Sequence, residues 1–599
     1  MRVADYIFRY LSEYGVKHVF LVTGGGAMHL NDALKNESRI RYVCHHHEQG
    51  AAIAAEGYAR TGGKLAVVSV TSGPGGTNAL TGLIGQWLDS VPVLYLSGQV
   101  KFETTIASQP NIRLRQLGDQ EINIIDIVKP VTKYAKMVTD PASIKRELDT
   151  AVFFATTGRP GPVWLDIPMN VQGAVVDSMA LESTPIRSSA LPIAEGTLRS
   201  FLDMLVHARR PLLIAGHGIS ISGGREVFSK LVRALDIPVV TTFNGFDLMA
   251  SDDPHFVGRI GTLGSRGGNF ALQNADLIVC LGTRNNIRQI SYNWETFAKN
   301  AKKIIVDIDK SELQKKTVPG DLLVHADVKR FLEKVLVSLP PDLHTDKQWL
   351  EWCIVRKAKY PIVLDTYRQR TERGVHPYHF MEVLTEQLTR DALVTAANGT
   401  ACVVLFQAGS VKAGQRIFWN SGCASMGYAL PAAVGAAFCS GKQVVCIEGD
   451  GSLQMNLQEL QTIRQHQLPI KVIVLNNGGY SSIRQTQASF FNGNFIGCDE
   501  RSGVSFPGCE KVAGLYDMAY FRIDHTATMA HDIDTFLNSD GPALCEVVLC
   551  HYSFSPKLSS EKLPDGRIVS KPLEDLFPFL DRAELASNML VRNGEKENE

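Results

Sequence analysis

The chain reads as three α/β domains, each a doubly wound parallel sheet, followed by a C-terminal tail. Three observations lead there. Short strand-like runs alternate with helical stretches through most of the 599 residues, the pattern of βαβ units. The strand-like runs are bounded by Gly or Pro. Two Pro-containing stretches split the alternation into blocks of similar size, in a chain long enough for about three to five domains.

In chain order, Val19–Val22 is an apolar strand that runs into the turn Thr23-Gly24-Gly25-Gly26. Leu65–Val70, Val93–Ser97 and Val163–Ile167 follow as strands of the same block, and Val171–Glu195, with Pro185 and Pro192, reads as a linker. A second block opens with Pro211–Gly216, continues through Asp276–Leu281 and Lys303–Asp309, and closes at Leu339-Pro340-Pro341-Asp342. A helical connection leads to a third block, from about Pro377 to Cys550. The expected division is 1–175, 192–338, 375–552 and a tail, 553–599, folded over the body.

Composition narrows the function. Lys plus Arg number 61 and Asp plus Glu number 61, so there is no electrostatic case for nucleic acid or an anionic membrane as partner. Hydrophobic residues at 45% and charged residues at 20% suit a globular protein. The N-terminus lacks the apolar core of a signal peptide, and no apolar run reaches the roughly 18 residues of a membrane span. Eleven cysteines with no C-x-x-C pair suit reduced thiols in a cytoplasm. The default expectation is a large cytoplasmic enzyme.

The third block carries the strongest chemical signal. Val444–Glu448 is a strand, Gly449-Asp450-Gly451-Ser452 a turn, and Ile470–Leu475 the next strand, ending in Asn476-Asn477. Between them Leu453, Leu457, Leu460 and Ile463 predict one amphipathic helix. Asp450 and Asn477, 27 residues apart, then stand at the carboxyl ends of two parallel strands, where open α/β sheets bind ligands. Asp450, the amide oxygen of Asn477 and the carbonyl of Gly479 are hard oxygen donors of the kind Mg²⁺ takes together with phosphates. The glycines allow backbone approach to a diphosphate, and a helix beginning at Ser452 favours its charge.

With these motifs the chain resembles thiamine diphosphate (ThDP) enzymes, whose cofactor motif begins with GDG and ends in NN. The likeness runs over nearly the whole chain to the acetolactate synthase group. It includes His47-Glu48-Gln49-Gly50-Ala51-Ala52, Thr71-Ser72-Gly73-Pro74-Gly75, Gly158-Arg159-Pro160-Gly161-Pro162 and Ser425-Met426-Gly427-Tyr428. The resemblance implies pyrimidine-binding, central nucleotide or FAD-type, and diphosphate-binding domains. It implies Glu48 as the catalytic acid at the aminopyrimidine ring and Gln120 facing the substrate. It places ThDP among Gly399, Thr400, Ala424, Met426, Gly449, Asp450, Gly451, Ser452, Asn477 and Gly479, with Mg²⁺ on Asp450, Asn477 and Gly479. Met426 would be the wedge beneath the bent cofactor. In the family the catalytic glutamate serves cofactor held by another chain, which implies a homodimer or homotetramer. The bound cofactor is the electron sink while a 2-keto acid such as pyruvate loses CO₂ and its two-carbon acyl unit passes to a carbonyl acceptor.

Three departures concern substrate and cofactor. Asp119 stands where the group has Phe before Gln120, and Thr486 where it has a Trp that restricts the acceptor pocket; losing that apolar surface opens the site. With Ile483 and Arg484 these residues form the expected acceptor pocket, Arg484 being suited to a phosphate or carboxylate. Thr400-Ala401 replaces a His-Gln pair, leaving more anchoring to backbone N–H groups. The second block resembles the family's flavin domain, with Arg159, Gly216, Gly218, Gly264, Arg284 and Asp309 as the FAD set. Its Arg284-Asn285-Asn286-Ile287-Arg288 has lost two acids of the family pattern, and an adenine nucleotide or an empty domain are the alternatives to FAD. The expected activity is a decarboxylating carboligase whose acceptor is bulkier than pyruvate, a keto-sugar fitting this. True acetolactate synthesis, a pyruvate oxidase-like flavoenzyme, a non-catalytic regulatory relative and an NAD-dependent dehydrogenase are the rival readings.

Overall fold

The computed structural model describes residues 1–183, 191–340, 346–369, 374–550 and 559–590. Parts of the expected linkers (184–190, 341–345) and the expected boundary at 552 lie outside them.

Three parallel six-stranded sheets organise the molecule. The first contains β1 (His18–Leu21), β2 (Arg41–Cys44), β3 (Ala66–Val70), β4 (Val93–Gln99), β5 (Tyr134–Met137) and β6 (Val163–Pro168), in the order β2-β1-β3-β4-β6-β5. The second contains β7 (Pro211–Ala215), β8 (Val239–Thr241), β9 (Phe256–Arg259), β10 (Leu277–Leu281), β11 (Lys302–Asp307) and β12 (Leu322–His325), in the order β12-β11-β10-β7-β8-β9. The third contains β13 (Leu393–Ala396), β14 (Arg416–Phe418), β15 (Val444–Gly449), β16 (Ile470–Asn476), β17 (Ala519–Ile523) and β18 (Ala543–Val548). Its order, β14-β13-β15-β16-β18-β17, repeats that of the first sheet, whereas the second has the dinucleotide-fold order.

The central strands are buried along their length, save Asn476 at the tip of β16, as expected of parallel strands covered on both faces, and they are the runs that stand out in the sequence. The first and third sheets are joined by two helices, Glu48–Gly62 and Ala429–Ser440, rich in Ala and Gly. Their backbones nearly touch: a Cβ on Gly435 would lie 1.8 Å from Ala54 O, and one on Gly57 2.1 Å from Ala432 O.

The single helix expected after Gly449 is instead broken into Asp450–Leu453, a 3₁₀ turn Gln454–Asn456, and Glu459–His466. The reason lies outside the segment: the Asn456 side chain donates to Gly427 O at 2.7 Å, pinning the turn to the strap Ser421–Gly427 beside it. Leu453, Leu460 and Ile463 remain buried, so the apolar stripe survives the break. The tail forms an antiparallel hairpin, β19 (Ser560–Lys562) with β20 (Ile568–Ser570), and then packs Leu573 and Leu576 into the core of the second sheet. No helix among the described residues is long and apolar enough to cross a membrane.

Candidate active site

The third sheet changes direction between β13 and β15, and the loops leaving these strands frame a cavity of about 500 Å³. Gly399, at φ +98°, turns the chain from β13 into the helix Thr400–Ala408, and Gly449 turns β15 into Asp450–Leu453. All ten residues expected around ThDP from this block line the one cavity.

Asp450 is buried at the foot of the cavity. Its Oδ1 accepts from Gly451 N–H at 2.8 Å and its Oδ2 from Gly479 N–H at 2.9 Å. Burial pushes its pKa up, and those N–H groups pull the other way. Asn477 Oδ1 is buried with no hydrogen-bond partner, an acceptor left open beside an anion. Gly479 holds φ +142°, and a Cβ there would sit 2.0 Å from Cys498 O, so only glycine fits. A carboxylate, an open amide oxygen and a glycine that can offer its carbonyl line the same cavity, a donor set whose chemistry fits Mg²⁺ completed by phosphate oxygens. No cluster of three or more His, Cys, Asp or Glu placed for a metal occurs among the described residues. Gly451 also makes room for an aromatic side chain, since a Cβ on it would meet the Tyr480 ring at 2.3 Å.

The opposite wall is the strap Ser421–Gly427. Ala424 is held at φ +56°, a costly conformation for a residue with a Cβ, and Met426 projects from the strap into the cavity wall. Ile483 and Thr486 line it with Ser481, Ser482, Gln485, Phe490, Ser559 and Ser560, so hydroxyls and an amide are set in a wall that is otherwise mostly apolar. Arg484 does not join them. Its guanidinium turns beneath the loop to the carbonyls of Asn477 and Gly478, both at 3.3 Å, because those carbonyls need donors where the chain bends. A different cation, Arg288, lines the cavity from the second domain, its guanidinium 4.8 Å from the centre of the Phe243 ring. The sequence shows Arg288 only as part of a motif.

Glu48, Gln120 and Asp119 lie elsewhere. Glu48 opens the helix Glu48–Gly62, with His47 capping it through Gln49 N–H, and is 7% exposed. Asn78 Nδ2 donates to Glu48 Oε2 at 3.0 Å, an orienting partner that sequence reasoning missed; it ends the Pro74–Asn78 helix that begins within the Thr71–Gly75 motif. Gln120, at φ +58°, lays its carbonyl against Gly73, with Asp119 exposed beside it. Every residue lining the cavity of the third sheet lies between 262 and 560, so within one chain Glu48 is not part of its wall.

The second sheet reverses between β7 and β10, and there lies a cavity of about 510 Å³. Arg159, Gly218 and Arg284 of the expected FAD set line it. Gly216 stands behind, where a Cβ would be 2.3 Å from Gly282 O. Gly264 is outside the wall, at the close turn against Arg259. Asp309 is also outside, paired with Arg159 at 2.9 Å; Asp307 lines the cavity instead, its carboxyl pushed up to about 6 by burial. The polar groups Ser222, Asn244, Thr283 and Asn286, with the carboxyls Asp307 and Asp327, suit the hydroxyls and base of a nucleotide.

Comparisons with known proteins agree with this architecture. Three family descriptions match in order: thiamine pyrophosphate enzyme, N-terminal TPP binding domain, over 1–123; central domain, over 198–335; and C-terminal TPP binding domain, over 397–547. The acetolactate synthase large subunit of Lactococcus lactis subsp. lactis (strain IL1403) is 33% identical over 557 residues, 91% of this chain and 92% of that one. The chloroplastic acetolactate synthase of Arabidopsis thaliana is 32% identical over 562 residues, 92% of this chain and 81% of that one. The large subunit from Pyropia yezoensis is 33% identical over 550 residues, 89% and 90% of the two chains.

Proposed function

The chain belongs to the thiamine pyrophosphate enzymes as an acetolactate synthase-like decarboxylating carboligase, and from that premise we propose that it takes pyruvate as donor and a carbonyl acceptor bulkier than pyruvate, of keto-sugar type. The observation that carries the acceptor is the cavity wall, where Thr486 leaves room and Ser481, Ser482, Gln485, Ser559 and Ser560 offer hydrogen-bonding groups to a polyol. Arg288 is suited to an anionic substituent on the same acceptor.

In this reading residues 375–552 hold the diphosphate end of ThDP, 1–175 its pyrimidine end and 192–338 a nucleotide, FAD. Asp450, Asn477 and the Gly479 carbonyl hold Mg²⁺ against the diphosphate, using the oxygen of Asn477 that has no other partner. ThDP supplies the electron sink for loss of CO₂. Glu48 holds and moves the proton at the aminopyrimidine ring, and Asn78 fixes the orientation of its carboxyl. Met426 shapes the cofactor from below, while Gln120 and Asp119 meet the substrate. Because Glu48 and the cavity of the third sheet do not meet in one chain, a second copy brings the glutamate, and the working unit is a homodimer or larger.

Product analysis tests the acceptor. Purified protein with ThDP, Mg²⁺ and pyruvate is expected to turn over slowly alone and rapidly when a keto-sugar is added, giving a product two carbons longer. Rapid acetolactate formation from pyruvate alone would overturn the specialised acceptor.

A further inference from the structure

We propose that Asp89 is a positioning residue that couples the occupant of the central cavity to the wall of the ThDP cavity. The inference rests on the cofactor reading above and concerns a residue to which that reading gives no role.

Asp89 ends the helix Leu80–Asp89 of the first domain and is 4% exposed. Its carboxylate collects donors from all three sheets' domains. Arg60 Nη2 reaches Oδ2 at 2.8 Å from the first. Asn244 Nδ2 reaches Oδ1 at 3.2 Å, and Arg284 Nη2 stands 3.5 Å from Oδ1, both from the second. The backbone N–H groups of Ser421 and Gly422 donate to Oδ2 and Oδ1 at 2.9 and 3.1 Å, from the third.

The last two bonds matter for the cofactor. The strap they hold continues through Cys423 and Ala424, whose N–H groups donate to Asn420 Oδ1, and reaches Gly427, whose N–H donates to Ser452 Oγ. These N–H groups are thus satisfied by side chains, and the strained φ of Ala424 persists only while such bonds over-determine it. Gly422 lies so close that a Cβ would be 2.8 Å from Asp89 Oδ1 and 2.6 Å from Leu88 Cβ.

On its other side Asp89 lines the central cavity together with Asn244 and Arg284. A nucleotide whose phosphates engage Arg284 draws that guanidinium from Asp89. The carboxylate is then left to Arg60, Asn244 and the strap, and its hold on Ser421 and Gly422 tightens. Reciprocity requires that the two ligands strengthen one another by the same factor.

The test is ThDP affinity by calorimetry in Mg²⁺ buffer on the full chain, with and without saturating FAD as the probe. Wild-type protein is expected to bind ThDP about fivefold or more tightly with FAD. Asp89→Asn should weaken ThDP binding by roughly tenfold, as expected for loss of charge-assisted bonds, and abolish the response to FAD. Gly422→Ala, which leaves the carboxylate and displaces the strap, should do the same and decides the matter if Asp89→Asn does not fold. Arg284→Met spares the strap bonds and should lose the response. Wild-type ThDP affinity in folded Asp89→Asn or Gly422→Ala would overturn the positioning role. FAD binding that leaves ThDP affinity unchanged would overturn the coupling. Failure of FAD to bind at all would instead sink the flavin reading and with it the coupling, while the two strap variants still decide the positioning role.

Discussion

Thr486 and Asp166 show how much one side chain decides. Thr486 sits in the cavity wall, its hydroxyl turned to Ser482 O at 3.0 Å, so the space beside it stays open. Thr486→Trp should fill that space with a large apolar ring, lowering turnover of a bulky acceptor by about 10- to 200-fold while sparing pyruvate as acceptor. Competition between the two acceptors, read from the product ratio, checks this. Asp166 is wholly buried on β6, accepting from Ser97 Oγ at 2.6 Å and Gln99 Nε2 at 3.2 Å, and burial pushes its carboxyl up to about 7. The folded state therefore favours the protonated form, whereas the unfolded chain ionises near about 3.9. The stability this contributes is complete below the unfolded value and is lost as pH rises to about 7. Asp166→Asn should flatten the fall of melting temperature between about pH 4.5 and 7, measured by calorimetry across pH.

Elements show where local pattern yields to packing. The helices Glu48–Gly62 and Ala429–Ser440 carry small residues where their backbones cross, and this close crossing holds Glu48 at the N-terminus of one of them. Gly435→Ala drives a methyl into the carbonyl of Ala54, and overpacking of this kind costs about 1–3 kcal/mol or more. Chemical denaturation should show that loss, with a larger effect than Gly441→Ala, where φ is +66° but the space is open. The break at Gln454–Asn456 has the opposite origin: the apolar spacing is helical throughout, yet a side-chain bond to Gly427 from another part of the chain wins. Spacing records which residues are buried; it does not record whether the backbone between them stays regular.

At the scale of the whole molecule, the first and third sheets repeat one strand order and carry different groups of the candidate site. Glu48 and Asn78 sit at the loops of the first, and Asp450 and Asn477 at the loops of the third. If active sites form between copies, Glu48→Gln and Asp450→Asn, each inactive alone, should complement when mixed and allowed to exchange subunits. A random mixture of dimers then recovers up to about a quarter of wild-type activity, since half are mixed and each of those has one intact site. Activity that stays at the level of the separate variants would place both groups in one chain's site. Ionic strength offers little leverage here, because the chain's charges balance at 61 against 61.

Much of this was legible in the sequence, for a physical reason. Strands buried on both faces must be apolar and must end in turns that Gly and Pro permit, so β3, β4, β7, β10, β15 and β16 announce themselves. The candidate site groups at their tips are local too, since Gly449-Asp450-Gly451 and Asn476-Asn477 each stand within a few residues of a strand end. Edge strands such as β2 and β17 are half-solvated and mixed in composition, and they carry no comparable signal. Only the tertiary structure decided which residues with suitable chemistry face the cavity. It turned Arg484 away and brought Arg288 in, set Asp307 in place of Asp309, and gathered Ser559 and Ser560 from a segment without a motif. The direction of a side chain depends on which unpaired carbonyls and charges the fold sets beside it, and those partners lie from a single turn away, as for Arg484, to 150 residues away, as for Asp309 and Arg159.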